Sequence, residues 1–289
     1  ANGKISENME NVYYKDEDLL QCYKSLEITD LNGIIDDINK RSFVDSIILG
    51  NVDESTIKNV DDAVYDLVVD KRIEKFTPII TVKHIDPPFV VEYDSKVQNR
   101  HEKDSGITMS YECYVIDKLK DSDWAKKLGI LMLIEQLVRE RFFNDLRTVQ
   151  QSGYIVKAYL DVRGGSFDNV YMFNFSVQSS ARSLQSIQNS ILDFVKDTLT
   201  FINELDPDIF DEFKKSLITT IIKKYDNIYD ELFVCAAAIS TYDYMFDYKS
   251  KLASELKNIN RGDVLNVFED YFVGKNKKLR ISKVYSRIN

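Results

Sequence analysis

His84 and His101 are the two imidazoles in a chain of 289 residues, and imidazole is the side chain most often used to bind a metal or move a proton near neutral pH. His101 is followed by Glu102, yet neither H-E-x-x-H nor H-x-x-E-H occurs in the sequence. A metal site needs three or four suitably placed ligands, so both histidines read as loop or surface residues and no metal is assigned to this chain. Cys22, Cys113 and Cys235 are odd in number, widely separated, and form no C-x-x-C pair. That removes zinc-knuckle and thioredoxin-type chemistry. There is no Walker loop, no G-x-G-x-x-G and no G-x-S-x-G elbow. Gly164-Gly165 falls between two predicted strands and reads as a turn. Asp36-Asp37, Asp61-Asp62 and Glu204 with Asp206 read as solvated helix faces or ends, and nothing marks an acid/base dyad among them. No catalytic residue is therefore assigned within the chain.

Composition narrows the field further. The 47 acidic residues outnumber the 38 Lys and Arg, for a net charge of −9. Nucleic-acid binding needs a concentrated basic footprint, and the best candidate, Lys275, Lys277, Lys278 and Arg280, reads as a solvated turn before a final strand. No nucleic-acid partner is expected. Apolar residues at 44% suffice for an ordinary core. The 17 Tyr and 16 Phe could fill that core or line a groove. Ala1 to Met9 lacks the apolar stretch of a signal peptide. The longest apolar run, Ile130 to Ile134, falls far short of the ~20 residues a membrane helix needs, so no membrane partner is expected. Unpaired thiols with no leader favour a soluble, cytoplasmic protein. A start at Ala1 without Met reads as a fragment of something longer.

The elements that would position functional groups follow from periodicity. Leu19, Leu20, Tyr23, Leu26, Leu31, Ile34, Ile35 and Ile38 keep helical spacing across Asp16 to Asn39, broken at Thr29-Asp30. Phe43 to Leu49 is strand-like, and a helix follows from Glu54 to Val69, entered through Asp53 or Ser55. Lys71 to Pro88 reads as a linker, with a domain boundary near residue 85. Beyond it come strands at Phe89 to Tyr93 and Ile107 to Val115, the latter with Ile107, Met109, Tyr111, Cys113 and Val115 on one face. A long helix at Trp124 to Leu146 follows. Tyr154 to Val162 and Val170 to Gln178 form a predicted hairpin. Helices at Leu184 to Leu205, Pro207 to Tyr225, Leu232 to Tyr248 and Asp263 to Tyr271 precede a closing strand, Leu279 to Val284. The fold class is α+β, a mixed and largely antiparallel sheet packed on helices.

One segment joins the long helix to the hairpin: Arg141-Phe142-Phe143-Asn144-Asp145-Leu146-Arg147-Thr148-Val149-Gln150-Gln151-Ser152-Gly153-Tyr154-Ile155-Val156. It resembles the F-N-x-L-R-T-x-x-Q-x-G-Y-x-V segment in the fourth domain of insulin-degrading enzyme and its pitrilysin-type relatives. Tyr14 to Val52 resembles the last part of that family's third domain, and Gly106-Ile107-Thr108-Met109 resembles the first core strand of the fourth. The resemblance covers roughly residues 12 to 285. It implies that residues 1–85 are the carboxyl-terminal part of a third peptidase-family domain plus linker, and that residues 86–289 are the fourth.

In that family four such repeats form a clamshell whose amino-terminal half carries zinc on an inverted H-x-x-E-H motif. The resemblance thus implies a zinc-free carboxyl-terminal segment of a metalloendopeptidase, with no cofactor of its own. Its partners would be an amino-terminal catalytic half and a peptide substrate. Arg147 and Tyr154 match the family's pair that reaches the active site, and Phe143 matches a residue lining its substrate pocket. As a peptide carbonyl is attacked, negative charge grows on its oxygen. A phenol and a rigid guanidinium fork are suitable donors to it. Simpler roles exist for both: an Arg at a helix carboxyl end is favoured by the helix dipole, and a Tyr opening a strand can simply pack there. Two other functions compete, a non-catalytic scaffold subunit of the processing-peptidase-like type and a free-standing module that captures a peptide on a sheet edge.

Overall fold

The structure, a computed structural model, describes residues 5, 7, 9, 10, 13–40, 44–67, 82, 83, 86–164, 169–240 and 243–287. Its helices are α1 (Asp16–Ser25), α2 (Ile28–Lys40), α3 (Glu54–Leu67), α4 (Trp124–Phe142), α5 (Leu184–Glu204), α6 (Pro207–Ile222), α7 (Ile228–Ser240), α8 (Tyr248–Leu256) and α9 (Arg261–Phe268). Two π-helical segments, Phe143–Val149 and Glu269–Val273, continue α4 and α9. The strands are β1 (Phe89–Lys96), β2 (Ser105–Ile116), β3 (Ile155–Arg163), β4 (Asn169–Ser179) and β5 (Lys278–Tyr285). The chain gathers into two compact units, one within 1–11, 81–223 and 247–289, the other within 12–80 and 224–246.

In the first unit the five strands form one sheet in the order β1-β5-β2-β4-β3. Only β1 and β5 run parallel; the other neighbours are antiparallel. The architecture is the expected α+β with a mixed, largely antiparallel sheet. Ile107, Met109 and Tyr111 of β2 lie opposite Val177, Phe175 and Phe173 of β4, and all six are buried. This face meets the helices through a continuous ring cluster. Phe142 of α4 sits 5.0 Å from Phe175 and 5.1 Å from Phe194 of α5, while Phe272 stacks 4.8 Å from Tyr111 and 4.3 Å from Phe268. Phe142, Phe173, Phe175, Phe194, Phe268 and Phe272 therefore fill the core. α4 is buried through eleven of its residues, from Trp124 to Phe142, and its unbroken apolar run from Ile130 to Ile134 lies at the centre of that burial.

The opposite face of the sheet is polar and also buried. Thr108 Oγ1 lies 3.1 Å from Ser176 Oγ, and Ser110 donates to Asn174 at 2.5 Å. Arg280, wholly inaccessible, donates from Nε to Glu112 at 2.5 Å and from Nη1 to the Tyr93 hydroxyl at 3.1 Å. Its guanidinium also lies over the Phe89 ring. Arg280 thus departs from the solvated basic turn expected of it, because strand alternation turns its side chain into this polar lane. Ile5, Met9 and Val82 pack with Val170 and Met172 in a small apolar cluster.

Other departures have local causes. A register shift between Glu112 and Tyr114 inserts one residue, so Val115 turns outward at 41% exposure while Ile116 is buried. The helix expected over Leu232 to Tyr248 is instead α7 followed by α8, and Tyr244 between them takes a φ of 50° that no helix continues. The long helix expected to reach Leu146 becomes π-helical at Phe143. In the second unit, residues 44–49 form no strand. Asp53 does begin α3: hydrogen bonds from the Thr56 side chain, the Thr56 backbone and Ser55 hold its carboxyl down at about 2. α1 and α2 leave Leu20, Tyr23, Ile28, Leu31 and Ile34 at least half exposed or nearly so. Most of the expected linker at Lys71 to Pro88 lies outside the described residues.

Removing one partner of a buried ion pair strands the other charge. Glu112→Ala is expected to lower unfolding free energy by about 3–5 kcal/mol, whereas Glu112→Leu with Arg280→Met should recover most of it. Urea unfolding of the three proteins measures both effects.

Candidate functional site

The junction between α4 and β3 is built from residues that alternate between anchoring and display. Phe142 and Leu146 are wholly buried, which holds this helix end on the core. Phe143, next to the first anchor, is 45% exposed, and Arg147, next to the second, is half-buried. Gln150 N–H then donates to the Asp145 carbonyl at 2.9 Å and Ser152 N–H to the Leu146 carbonyl at 2.7 Å. These bonds satisfy carbonyls that a helix end otherwise leaves open. Gln151 takes a left-handed φ of 50°, and the chain reverses into β3.

Gly153 is fixed by contact. A Cβ there would lie 2.1 Å from the Gln178 carbonyl oxygen and 3.1 Å from Val177 Cγ1. Only a residue without a side chain lets the turn come this close to β4. Tyr154 N–H donates to that same carbonyl at 3.0 Å, while Ile155 is the residue in register with Gln178. The turn is thus tied to β4 one residue before the paired ladder begins.

The three residues singled out by resemblance come together here. Phe143, Arg147 and Tyr154 line one cleft of about 590 Å³, with Asp104, Thr148, Gln151, Gly153 and Ser179–Ala181 forming the rest of its wall. Arg147 Nη1 donates to the Gly153 carbonyl at 2.5 Å, and its guanidinium carbon stands 5.0 Å from the centre of the Tyr154 ring. That cation–π contact props the ring against the charge. Tyr154 is 76% exposed, and its hydroxyl has no hydrogen-bond partner among the described residues. A broader groove of about 1220 Å³ shares Asp104 and Phe143 with the cleft and continues over Ile155, Lys157 and Tyr159 of β3. Two donors, one charged and one neutral, therefore face solvent at the head of an elongated groove.

Other residues at the cleft carry no motif that the sequence could reveal. Asp104 is held by Gln178 Nε2 at 2.8 Å, which leaves its second oxygen for other partners. Glu135 of α4 accepts weakly from Leu160 N–H on the edge of β3, and burial raises its carboxyl above the usual range. His101 is exposed in a turn, its backbone N–H donating to Asn99 Oδ1 at 3.0 Å. His84 lies outside the described residues. Among the described residues no three His, Cys, Asp or Glu side chains gather as a metal would require. No helix among them is long and apolar enough to cross a membrane.

Comparison with known proteins places this geometry in context. A family model described as PQQ synthase PqqF-like, C-terminal lobe domain 4, matches residues 133–232, which include the whole junction. A nardilysin-like protein of Arabidopsis thaliana is 25% identical over 270 residues, covering 92% of this chain and 25% of its own length. The peroxisomal insulin-degrading enzyme-like 1 of the same plant is 24% identical over 273 residues, covering 92% and 27%. Among solved structures, pitrilysin superposes with a TM-score of 0.79 at 16% identity, over 94% of this chain and 27% of that one. The chain spans about a quarter of the length of these relatives.

The contact at Gly153 is testable without any ligand. Gly153→Ala must push the turn off β4, and overpacking of this kind typically costs about 1–3 kcal/mol. Thermal and urea unfolding are expected to show that loss.

Proposed function

We propose that this chain, a relative of the insulin-degrading-enzyme and pitrilysin-type metallopeptidases that corresponds to their carboxyl-terminal part, supplies substrate-binding groups to a peptidase active site. Arg147 and Tyr154 donate hydrogen bonds to backbone oxygens of an extended peptide, and Phe143 packs against one of its side chains. The single observation carrying this reading is the convergence of all three residues on one open cleft. Zinc, in this proposal, is held by residues outside this chain, in an amino-terminal half that closes over the cleft. Residues 1–85 form the end of a third repeat with its linker, and residues 86–289 the fourth.

The chemistry suits the residue types. A guanidinium keeps its charge at any physiological pH and presents N–H groups in a rigid fork. One of these is already spent on the Gly153 carbonyl, which fixes the orientation of the others. The Tyr154 hydroxyl adds a neutral donor with no competing partner among the described residues. Donors fixed in advance need no reorganisation when charge develops on a carbonyl oxygen, and the loss of one such donor typically costs 10²–10³ in rate. Continuation of the groove over β3 supports an elongated substrate rather than a small molecule. Phe143 offers an apolar surface at the point where cleft and groove meet.

In the complete enzyme, Arg147→Ala is expected to lower kcat/KM by about 100-fold and Tyr154→Phe by about 10- to 100-fold, with metal content unchanged. Peptide turnover equal to that of the parent in both variants would remove these roles.

A further inference from the structure

Arg182 sits in the short connection between β4 and α5, behind the cleft wall formed by Ser179, Ser180 and Ala181. Its guanidinium meets four oxygens on two different elements. From the turn after the π segment it takes Gln150 Oε1 at 3.1 Å and Ser152 Oγ at 2.5 Å; from α5 it takes Ser186 Oγ at 2.7 Å and Ser190 Oγ at 3.2 Å. Ser186 and Ser190 are one helical turn apart and so stack on one face. Ser152 is wholly buried. All four acceptors are neutral, and among the described residues no carboxylate is a partner. The charge moreover lies just before the amino terminus of α5, where the helix dipole disfavours a cation. As an ion the residue is poorly placed. As a rigid planar fork with five donors it is well matched to four oxygens spread over two elements.

We infer that Arg182 is a positioning residue that pins the Gln150–Gly153 turn to α5 and thereby sets where Arg147 and Tyr154 stand in the cleft. The backbone of Arg182 is itself fixed, because its N–H and that of Ala181 both donate to Ser179 Oγ at 3.1 Å. One end of the brace is therefore anchored at the end of β4 and the other grips the turn. Between Ser152, held by Arg182, and Tyr154, held by Gln178, only Gly153 intervenes, and its carbonyl is the acceptor for Arg147. Loss of the brace frees the acceptor that orients Arg147, and with it the ring stacked beneath that charge. The inference rests on the proposed role of the Arg147 and Tyr154 pair for its functional meaning, but not for its measurement.

The test is hydrogen exchange and side-chain NMR on the present chain. Arg182→Met is expected to speed exchange of the Ser152 and Tyr154 amides about tenfold or more, the size of one lost hydrogen bond to a charged group. The Tyr154 ring resonances should move toward those of a free tyrosine, while the Met109 and Phe175 amides in the sheet stay within about twofold. Arg182→Lys, a point charge without the fork, should restore the turn only in part. Should Arg182→Met not fold, Ser152→Ala removes one turn-side acceptor, leaves the bonds to α5, and is read the same way. Unchanged turn amides and ring shifts overturn the inference, and so does an equal acceleration at Met109 and Phe175, which marks general loosening. Turnover by Arg147→Ala in the complete enzyme reports separately on the proposed function. Parent-like turnover there defeats that function while the exchange data still decide the brace.

Discussion

Burial of α4 is the constraint on which the rest of this molecule depends. Eleven of its residues are enclosed, and the ring cluster of Phe142, Phe175 and Phe194 locks its end against both sheet and α5. Once Phe142 and Leu146 are committed to the core, helical geometry leaves Phe143 and Arg147 beside them no choice but to face outward. The placement of the cleft is thus a by-product of packing. What packing alone does not set is the distance from Arg147 to Tyr154. That falls to a five-residue connection held by backbone bonds to Asp145, Leu146 and Gln178 and by the close approach of Gly153.

The alternation in β2 and the two runs flanking Gly164-Gly165 made the sheet legible from sequence, since period-two patterns carry directly into strands. The convergence of Phe143, Arg147 and Tyr154 was legible only through resemblance, because their spacing of four and seven residues crosses a helix end and carries no periodic signal. Features that depend on residues distant in sequence stayed hidden. Arg280 sat in a basic run that resembled a solvated turn, and its partner Glu112 lies 168 positions earlier. Val115 matched the buried parity of β2 until an inserted residue reversed it. Arg182 carries no motif at all; its meaning comes from oxygens on two elements that sequence does not bring together.

Charge is distributed around the cleft with a consistent logic. Among the described residues, Arg147 and Arg182 both spend donors on neutral oxygens of the protein rather than on carboxylates. Asp104 is instead occupied through one oxygen by Gln178. A cation held in place by carbonyl and hydroxyl groups keeps its field available to whatever enters the cleft, which a salt bridge would not permit. The chain as a whole carries an acidic excess, and the junction is a local exception to it.

The π segment at Phe143–Val149 makes the number of residues between the anchor and the turn as important as their identity. A widened turn stores one residue more than an α-helix of equal rise needs. Trimming a position before Arg147 would let the ladder relax to ordinary spacing, and the shortened stretch would lose one of the side chains it now divides between the core and the cleft. In an evolving lineage this stretch should accept exchanges of side chain far more readily than a gap.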